Sequence, residues 1–352
     1  MRVAAPTRVV IADDSALIRT VLASALTQAG IDVVGVAANG DEALALCEQL
    51  QPDVLSLDLA MPGRDGLGVL RELAVRKLQI PVVVVSAFSA AAGARAVDAL
   101  AEGAFDLVAK PTSRDELDPF TVSLVERILL ARAEGRPGSA TAPVREGIAP
   151  PVPLVPRARA SSTIAERRVV LIACSTGGPK ALAELLPKLP SPLGDGTLIV
   201  QHMPEGFTAS LADRLDRAST LTVSEAVGNE QIDAKHALLA PGGKHMHVNS
   251  SGLVNLSDEP AIGGLRPRAD LTINDAAAVW GERLLLVVLT GMGRDGLEGA
   301  AEVRRTGGRV LVEAASSCVV HGMPRAIAEA GLADEELDLS LLPEAILAEA
   351  GR

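Results

Sequence analysis

Short apolar runs recur along the chain, each closing on a polar residue, and stretches of helical spacing separate them. RVVIADD, IDVVGVA, DVLSLD, PVVVVSA and DLVAKP follow one another in the first 130 residues; RVVLIAC, TLIVQ and LLLVVLTGMGRDG occur in the C-terminal half. Runs this short and this apolar read as strands buried on both faces. Strands alternating with helices build a parallel sheet covered on each side, so the fold class is α/β. In such sheets ligands sit beyond the carboxyl ends of the strands. The polar residues that close the runs are therefore the candidates for chemistry.

The helical segments support this division. Leu17, Ile18, Val21, Leu22, Ala25 and Leu26 recur on one helical face, with Ser15 placed to cap the helix and Gly30 to end it. The turn Asn39–Gly40 leads into a second helix from Asp41. A length of 352 residues suits two domains. Residues 131–165, rich in Pro, Ala, Gly, Ser and Arg, lose all periodicity and read as an extended, semi-rigid linker. A structureless loop of that length is uncommon inside a compact domain. The expected division is a first domain at 1–130, the linker at 131–165 and a second domain at 166–352.

Composition narrows the function. With four Phe, one Trp and no Tyr, the cores must be aliphatic. A net charge of -11 argues against a nucleic-acid binder, which shows a basic face. Cys47, Cys174 and Cys318 lie far apart with no Cys-x-x-Cys, which suits a reducing compartment and offers neither a disulfide framework nor a zinc site. The N-terminus lacks the apolar core of a signal peptide, and no apolar run approaches the ~18 residues of a spanning helix. A cytoplasmic protein without membrane insertion is expected.

In the first domain Asp13 and Asp14 close the first strand, Asp58 the third, Ser86 the fourth and Lys110 the fifth. Three crowded carboxylates repel one another, and Mg²⁺, which prefers oxygen ligands plus a phosphate, relieves this. Lys110 supplies a point charge for phosphate oxygens, and Lys110–Pro111 is a candidate cis bond. ADDS, LDLAMPGRDGL, VVVVSA and AKP stand in the order of a response-regulator receiver domain, which residues 7–130 resemble. The resemblance implies a flavodoxin-like, doubly wound parallel sheet and a phosphoryl group accepted by Asp58. It implies Mg²⁺ held by Asp14, Asp58 and the carbonyl of Ala60, with Asp13 assisting, and Ser86 as the hydroxyl that moves toward the phosphate. Leu107 stands where many receivers carry an aromatic switch residue.

In the second domain, the runs RVVLIAC, TLIVQ and LLLVVLTGMGRDG lead to Ser175, His202 and Asp295. One sheet would bring these ends to a common rim, where Ser, His and Asp form the constellation for nucleophilic acyl transfer. His202 would take the serine proton and Asp295 would fix the imidazole tautomer. Gly177 and Gly178 allow a sharp turn and Pro179 suits a first helical turn, so Ser175 would lie near a helix N-terminus that favours an oxyanion. The turn Thr290–Gly293 offers a further backbone donor. Alternatives stand beside this reading. Ser175 could cap a helix, and Cys174 could be the nucleophile, although alternation along a strand turns it inward. Asp270 or Asp275 could replace Asp295, and His245 with His247 could hold a metal. Phosphate-loop spacing and Gly-x-Ser-x-Gly are absent.

IACSTGGPKAL, IVQHMPEGFTASLADRL, LAPGGKHM, LRPRAD, VVLTGMGRDGLEGA and ASSCVVHGMPRAI follow the order of the chemotaxis protein-glutamate methylesterase (CheB) family, which the chain resembles over nearly its whole length. The resemblance implies an α/β methylesterase domain with a mainly parallel sheet after the receiver and linker. It implies Ser175 as nucleophile, His202 as base, Asp295 as third member, and Thr176 with the Met292 backbone serving the oxyanion. The implied substrate is a methylated glutamate of a chemoreceptor, with glutamine deamidation by the same acyl-enzyme and no cofactor for the hydrolase. The implied phosphodonor is a chemotaxis histidine kinase, and the unphosphorylated receiver is expected to restrain catalysis. Cys174, LTINDAA after LRPRAD, and VEAASS depart from the family's usual residues. Two other readings remain open: a phosphorylation-controlled receptor-binding scaffold without catalysis, and an esterase of the same mechanism serving another methylated protein.

Overall fold

The computed structural model describes residues 5–87, 89–134 and 167–351. The chain divides into two compact units, Met1–Glu146 and Gly147–Arg352. In the first unit the strands are β1 (Arg8–Ala12), β2 (Asp32–Ala37), β3 (Val54–Leu57), β4 (Val82–Ser86) and β5 (Asp106–Ala109). Between and after them run α1 (Ala16–Gln28), α2 (Gly40–Leu50), α3 (Gly66–Val75), α4 (Ala90–Ala101) and α5 (Leu117–Glu134). The strands form one parallel sheet in the order β2-β1-β3-β4-β5, the flavodoxin-like doubly wound arrangement. β3 and β4 are buried along their whole length, as their apolar runs require, while β2 lies at the edge and is partly exposed.

Local signals act as the sequence suggests. The Ser15 hydroxyl accepts from the Ile18 amide at 3.4 Å. Asn39 caps α2 by accepting from the Glu42 amide at 3.0 Å, and the helix starts at Gly40, one residue early. The apolar stripe of α1 outruns the core: Leu22 and Leu26 are buried, but Leu17 is 72% exposed. Its turn lies at the open rim of the sheet, where Arg19 reaches back to the carbonyls of Asp13 and Asp14. Lys110–Pro111 is trans; the cis bonds among the described residues are Ser191–Pro192 and Arg266–Pro267. Helix α5 continues to Glu134, into the stretch expected to be linker. Residues 135–165 of that stretch lie outside the described residues.

In the second unit the strands are β6 (Val169–Cys174), β7 (Gly196–Gln201), β8 (Thr222–Glu225), β9 (Glu230–Gln231), β10 (His236–Leu239), β11 (His245–Val248), β12 (Leu253–Ser257), β13 (Leu284–Val288), β14 (Arg309–Glu313) and β15 (Glu335–Leu337). The helices are α6 (Gly178–Leu185), α7 (Thr208–Ala218), α8 (Ala269–Trp280), α9 (Leu297–Arg305), α10 (Met323–Glu329) and α11 (Leu342–Ala350). A seven-stranded sheet runs β15-β14-β13-β6-β7-β10-β8, and all its neighbours are parallel. A small antiparallel sheet, β11-β12-β9, stands apart from it.

The chain leaves β6 for β7 on one side and reaches β13, on the other side, only after α8. Strand order thus reverses at β6, and a crevice opens beyond its carboxyl end. Every residue of β6, β7 and β13 is buried. The face formed by Leu171, Leu286 and Val288 packs with Ile273, Ala276 and Ala277 of α8; the two alanines keep that face of the helix thin.

Ile172 lies near the middle of β6 and is fully buried. Ile172→Ala is expected to cost about 2–5 kcal/mol, read from the urea unfolding transition of the full chain. A cost below about 1 kcal/mol would show that β6 is not a core strand.

Candidate active site

Three neighbouring strands deliver the three candidate residues. β6 pairs with β7 as far as Cys174↔Gln201, and with β13 as far as Ala173↔Val288. Ser175 and His202 each follow the last residue of their strand, and the His202 amide donates to the Cys174 carbonyl at 3.0 Å. Asp295 arrives on the turn after β13, where its Oδ2 lies 2.7 Å from His202 Nε2. With Nε2 committed to the carboxylate, Nδ1 is the ring nitrogen left to take a proton from a hydroxyl. Ser175 is half-buried on the strand end next to that of His202; its amide donates to the Thr290 carbonyl at 3.0 Å.

The carboxylate is held at the start of α8. Asp295 accepts from the amides of Ala269 (2.7 Å), Asp270 (2.9 Å) and Gly296 (3.0 Å), and Arg268 Nε stands 3.5 Å away. Burial alone would push its pKa up. The hydrogen bond and charge of His202, with the amides of Asp270 and Ala269, outweigh that and hold it well below the usual carboxylate range. Asp295 therefore stays ionised and fixes the Nε2–H tautomer.

The rival acids are otherwise engaged. Asp270 accepts from Gly296 and Gly299 amides and pairs with Arg268 at 2.8 Å. Burial and the neighbouring Asp295 push its pKa up, to about 6. Asp275 pairs with His247 Nδ1 at 2.7 Å. Both nitrogens of the buried His245 are used: Nε2 bonds the Pro260 carbonyl at 3.2 Å and Nδ1 accepts from the Arg268 amide at 3.2 Å. Ser175 is not a helix cap, because the residue before α6 is Gly177 and no side chain caps that end. Cys174 points inward, as strand alternation predicts. Its thiol is fully buried, bonded to Gln201 Oε1 at 3.0 Å, and burial drives its pKa far up, which leaves it inert.

Two glycines shape the space at the nucleophile. Gly177 has φ 81°, and a Cβ there would stand 2.6 Å from Val319 Cβ. A Cβ on Gly291 would stand 2.9 Å from Ser175 Cβ, so the turn after β13 packs directly on the serine. The Gly291 amide is taken by the Val320 carbonyl at 3.0 Å, whereas the Met292 amide has no hydrogen bond among the described residues and its side chain is exposed. Thr176 is buried, and its carbonyl accepts from Thr290 Oγ1 at 2.9 Å.

Sequence reading passed over three supporting groups. Gln201, fully buried at the end of β7, donates from Nε2 to the carbonyls of Ser175 (3.0 Å) and His202 (2.9 Å). It ties the two segments together, and its one signal was a polar residue closing an apolar run just before the histidine. Arg268 links the two aspartates from within LRPRAD. Glu313, fully buried at the end of β14, accepts from the Thr290 amide at 2.8 Å, and burial pushes its pKa up.

The first unit obeys the same rule of strand ends. Lys110 Nζ lies 2.7 Å from Asp13 and 2.8 Å from Asp58. Carboxylate oxygens of Asp13, Asp14 and Asp58 lie within 4.8 Å of one another, an all-oxygen set of the kind a hard divalent cation takes. Burial pushes the Asp13 pKa up against the pull of Lys110. Burial would lower the Lys110 pKa, but the bonds to both carboxylates raise it. Asp58 Oδ1 accepts from the Ala60 amide at 3.3 Å, and Ser86 is buried nearby, its carbonyl accepting from the Lys110 amide at 2.7 Å. Leu107 is a buried core residue. No helix among the described residues is long and apolar enough to cross a membrane.

The CheB methylesterase family model matches residues 170–346, and the response regulator receiver domain model matches residues 9–119. A protein-glutamate methylesterase/protein-glutamine glutaminase of Symbiobacterium thermophilum is 43% identical over 359 residues, covering 98% of this chain and 97% of its own. One from Myxococcus xanthus is 41% identical over 345 residues, covering 96% and 97%. Among solved structures, the Thermotoga maritima CheB methylesterase catalytic domain is 40% identical with a TM-score of 0.50, covering 52% of this chain and 98% of that one.

A carboxyl whose pKa is depressed on folding adds stability above its unfolded value near 3.9, and the gain fades as pH falls through the folded value. Asp295→Asn is therefore expected to lower stability by about 1–3 kcal/mol at neutral pH, with the gap to wild type narrowing below about pH 4. Denaturant titrations at several pH values read this. A gap that stays constant into acid would show that the carboxyl is not depressed.

Proposed function

The chain belongs to the CheB methylesterase family, and on that premise we propose that it hydrolyses methyl esters of glutamate side chains on chemoreceptors and deamidates glutamine side chains there. The observation that carries this reading is the 2.7 Å contact between His202 Nε2 and Asp295 Oδ2, beside Ser175 at the reversal point of a parallel sheet. A scaffold that only binds receptors has no use for an ionised carboxylate buried against an imidazole.

Ser175 Oγ attacks the ester carbonyl carbon while His202 Nδ1 takes the hydroxyl proton. The oxyanion accepts from the amides of Met292 and Thr176, donors that are worth more as the charge develops. Collapse breaks the bond to the methoxy oxygen, which leaves as methanol with the proton from the imidazolium. Water then gives a proton to His202 and attacks the acyl-enzyme, and collapse returns the proton to Ser175 Oγ and frees a glutamate side chain. From a glutamine side chain the same sequence releases ammonia. Asp295 remains an anion throughout and stabilises the imidazolium.

The receiver unit makes the activity responsive to a kinase. Asp58 takes a phosphoryl group from a chemotaxis histidine kinase, Lys110 meets its oxygens, and Ser86 offers a hydroxyl to it. Asp13, Asp14, Asp58 and the Ala60 carbonyl would hold Mg²⁺, which when bound offsets the negative charge of the carboxylates and the incoming phosphoryl group. Phosphorylation adds about two negative charges to this pocket and relieves restraint on the hydrolase. The hydrolase itself uses no metal in this scheme, and the whole cycle belongs in the cytoplasm.

Incubation with methylated receptors tests the proposal through methanol release. Ser175→Ala is expected to abolish it, and Asp295→Asn to lower kcat by about 10⁴-fold, as loss of the required tautomer does elsewhere. Asp58→Asn is expected to keep the resting rate and to lose both phosphoryl uptake and the rise in rate that a phosphodonor brings. Normal methanol release by Ser175→Ala would refute the assignment.

A further inference from the structure

Glu313 is a costly residue to place where it is. It is fully buried at the end of β14, with burial pushing its carboxyl toward the neutral form. Oε2 accepts from the Thr290 amide at 2.8 Å. Oε1 makes no hydrogen bond among the described residues. The side chain forms part of the wall of a cavity of about 210 Å³, shared with Gly177, Lys180, Thr290, Ser317 and Asp338. An apolar residue would fill this place at less expense, so the carboxyl needs a reason, and Thr290 supplies one.

Thr290 is the node of the nucleophile's surroundings. Its carbonyl accepts from the Ser175 amide at 3.0 Å. Its hydroxyl donates to the Thr176 carbonyl at 2.9 Å and accepts from the Val320 amide at 2.9 Å. Two residues on lies the Met292 amide. The peptide groups of Thr290 thus set both the serine and the turn that carries an oxyanion donor, and its own N–H donates to Glu313 Oε2.

We propose that Glu313 is a positioning residue for the hydrolytic reaction: by accepting from the Thr290 amide it holds the turn 290–293 against Ser175 and keeps the oxyanion donors on the reacting carbonyl. The inference rests on the reading of Ser175 as nucleophile. It touches neither substrate nor reacting atoms, so it acts on the chemical step rather than on binding. A displacement of about 1 Å in such a constellation costs on the order of 10²-fold in rate.

Three substitutions separate the roles. Glu313→Gln keeps an acceptor at the same reach, Glu313→Met keeps the volume and removes the acceptor, and Glu313→Asp keeps the acceptor and withdraws it by one methylene. Each full-length variant is compared with wild type in the rate of Ser175 labelling by a fluorophosphonate, and in kcat and KM for methanol release from methylated receptor. Glu313→Gln is expected to retain at least about a third of the wild-type labelling rate. Glu313→Met should fall by roughly 30- to 100-fold and Glu313→Asp by about 10-fold, with the loss in kcat and KM within about threefold. Should Glu313→Met fail to fold, as its melting curve would show, the Glu313→Asp rate decides. Wild-type rates in both Glu313→Met and Glu313→Asp, or in Glu313→Asp alone if Glu313→Met is unfolded, would overturn the proposal, as would losses confined to KM. A wild-type protein that labels at Ser175 yet releases no methanol would sink the receptor substrate while leaving the labelling comparison to judge Glu313. A wild-type protein that does not label overturns both.

Discussion

The parallel register of β13, β6 and β7 is the constraint on which the candidate active site depends. Side by side, Val288, Ala173 and Val200 stand level across the sheet. Ser175 and His202 stand two residues beyond that line, each just past the end of its strand, and Asp295 returns to it on the turn after β13. A slip of one residue in either pairing would turn every side chain of the strand to the other face and send the serine or the imidazole away from the crevice. The unbroken burial of all three strands is what forbids such a slip.

Charge at the site is settled by the start of one helix. The first amides of α8 point at Asp295, and its buried anion is stabilised there and by His202 rather than by solvent. Asp270 lies beside it under the same Arg268 and carries the opposite shift, raised by burial and by its charged neighbour. Two carboxylates of the same type thus take different tasks. One lies against an imidazole, and the other secures the start of α9 through the amides of Gly296 and Gly299.

Both units follow one geometric rule with different chemistry. In the receiver, strand ends gather carboxylates and a lysine, a set suited to a cation and a phosphoryl group. In the second unit, strand ends gather a hydroxyl, an imidazole and a carboxylate, a set suited to acyl transfer. The open α/β sheet supplies the rim in each case; the residues placed on it decide the reaction.

Much of this was legible in the sequence. Apolar runs closing on Asp13, Asp58, Lys110, Ser175 and His202 marked the sheets, and the cap at Ser15 and the turn at Asn39–Gly40 are local signals, so no distant residue was needed to find them. The helical face of α1 was read one turn too far, because spacing reports which residues share a face and not where the core beneath it ends; Leu17 lies beyond that edge. The sequence favoured Asp295 as the acid over its rivals Asp270 and Asp275, because its run is the more apolar and the glycines of GMGRDG open space around it. The tertiary structure adds the partners, giving Asp295 the imidazole, Asp270 an arginine and a helix start, and Asp275 a different histidine. The same holds for Gln201, Thr290 and Glu313, whose partners lie across strands. A sequence determines by itself what short-range sterics and periodic burial impose; hydrogen bonds between residues far apart in the chain exist only once the sheet has set their distance.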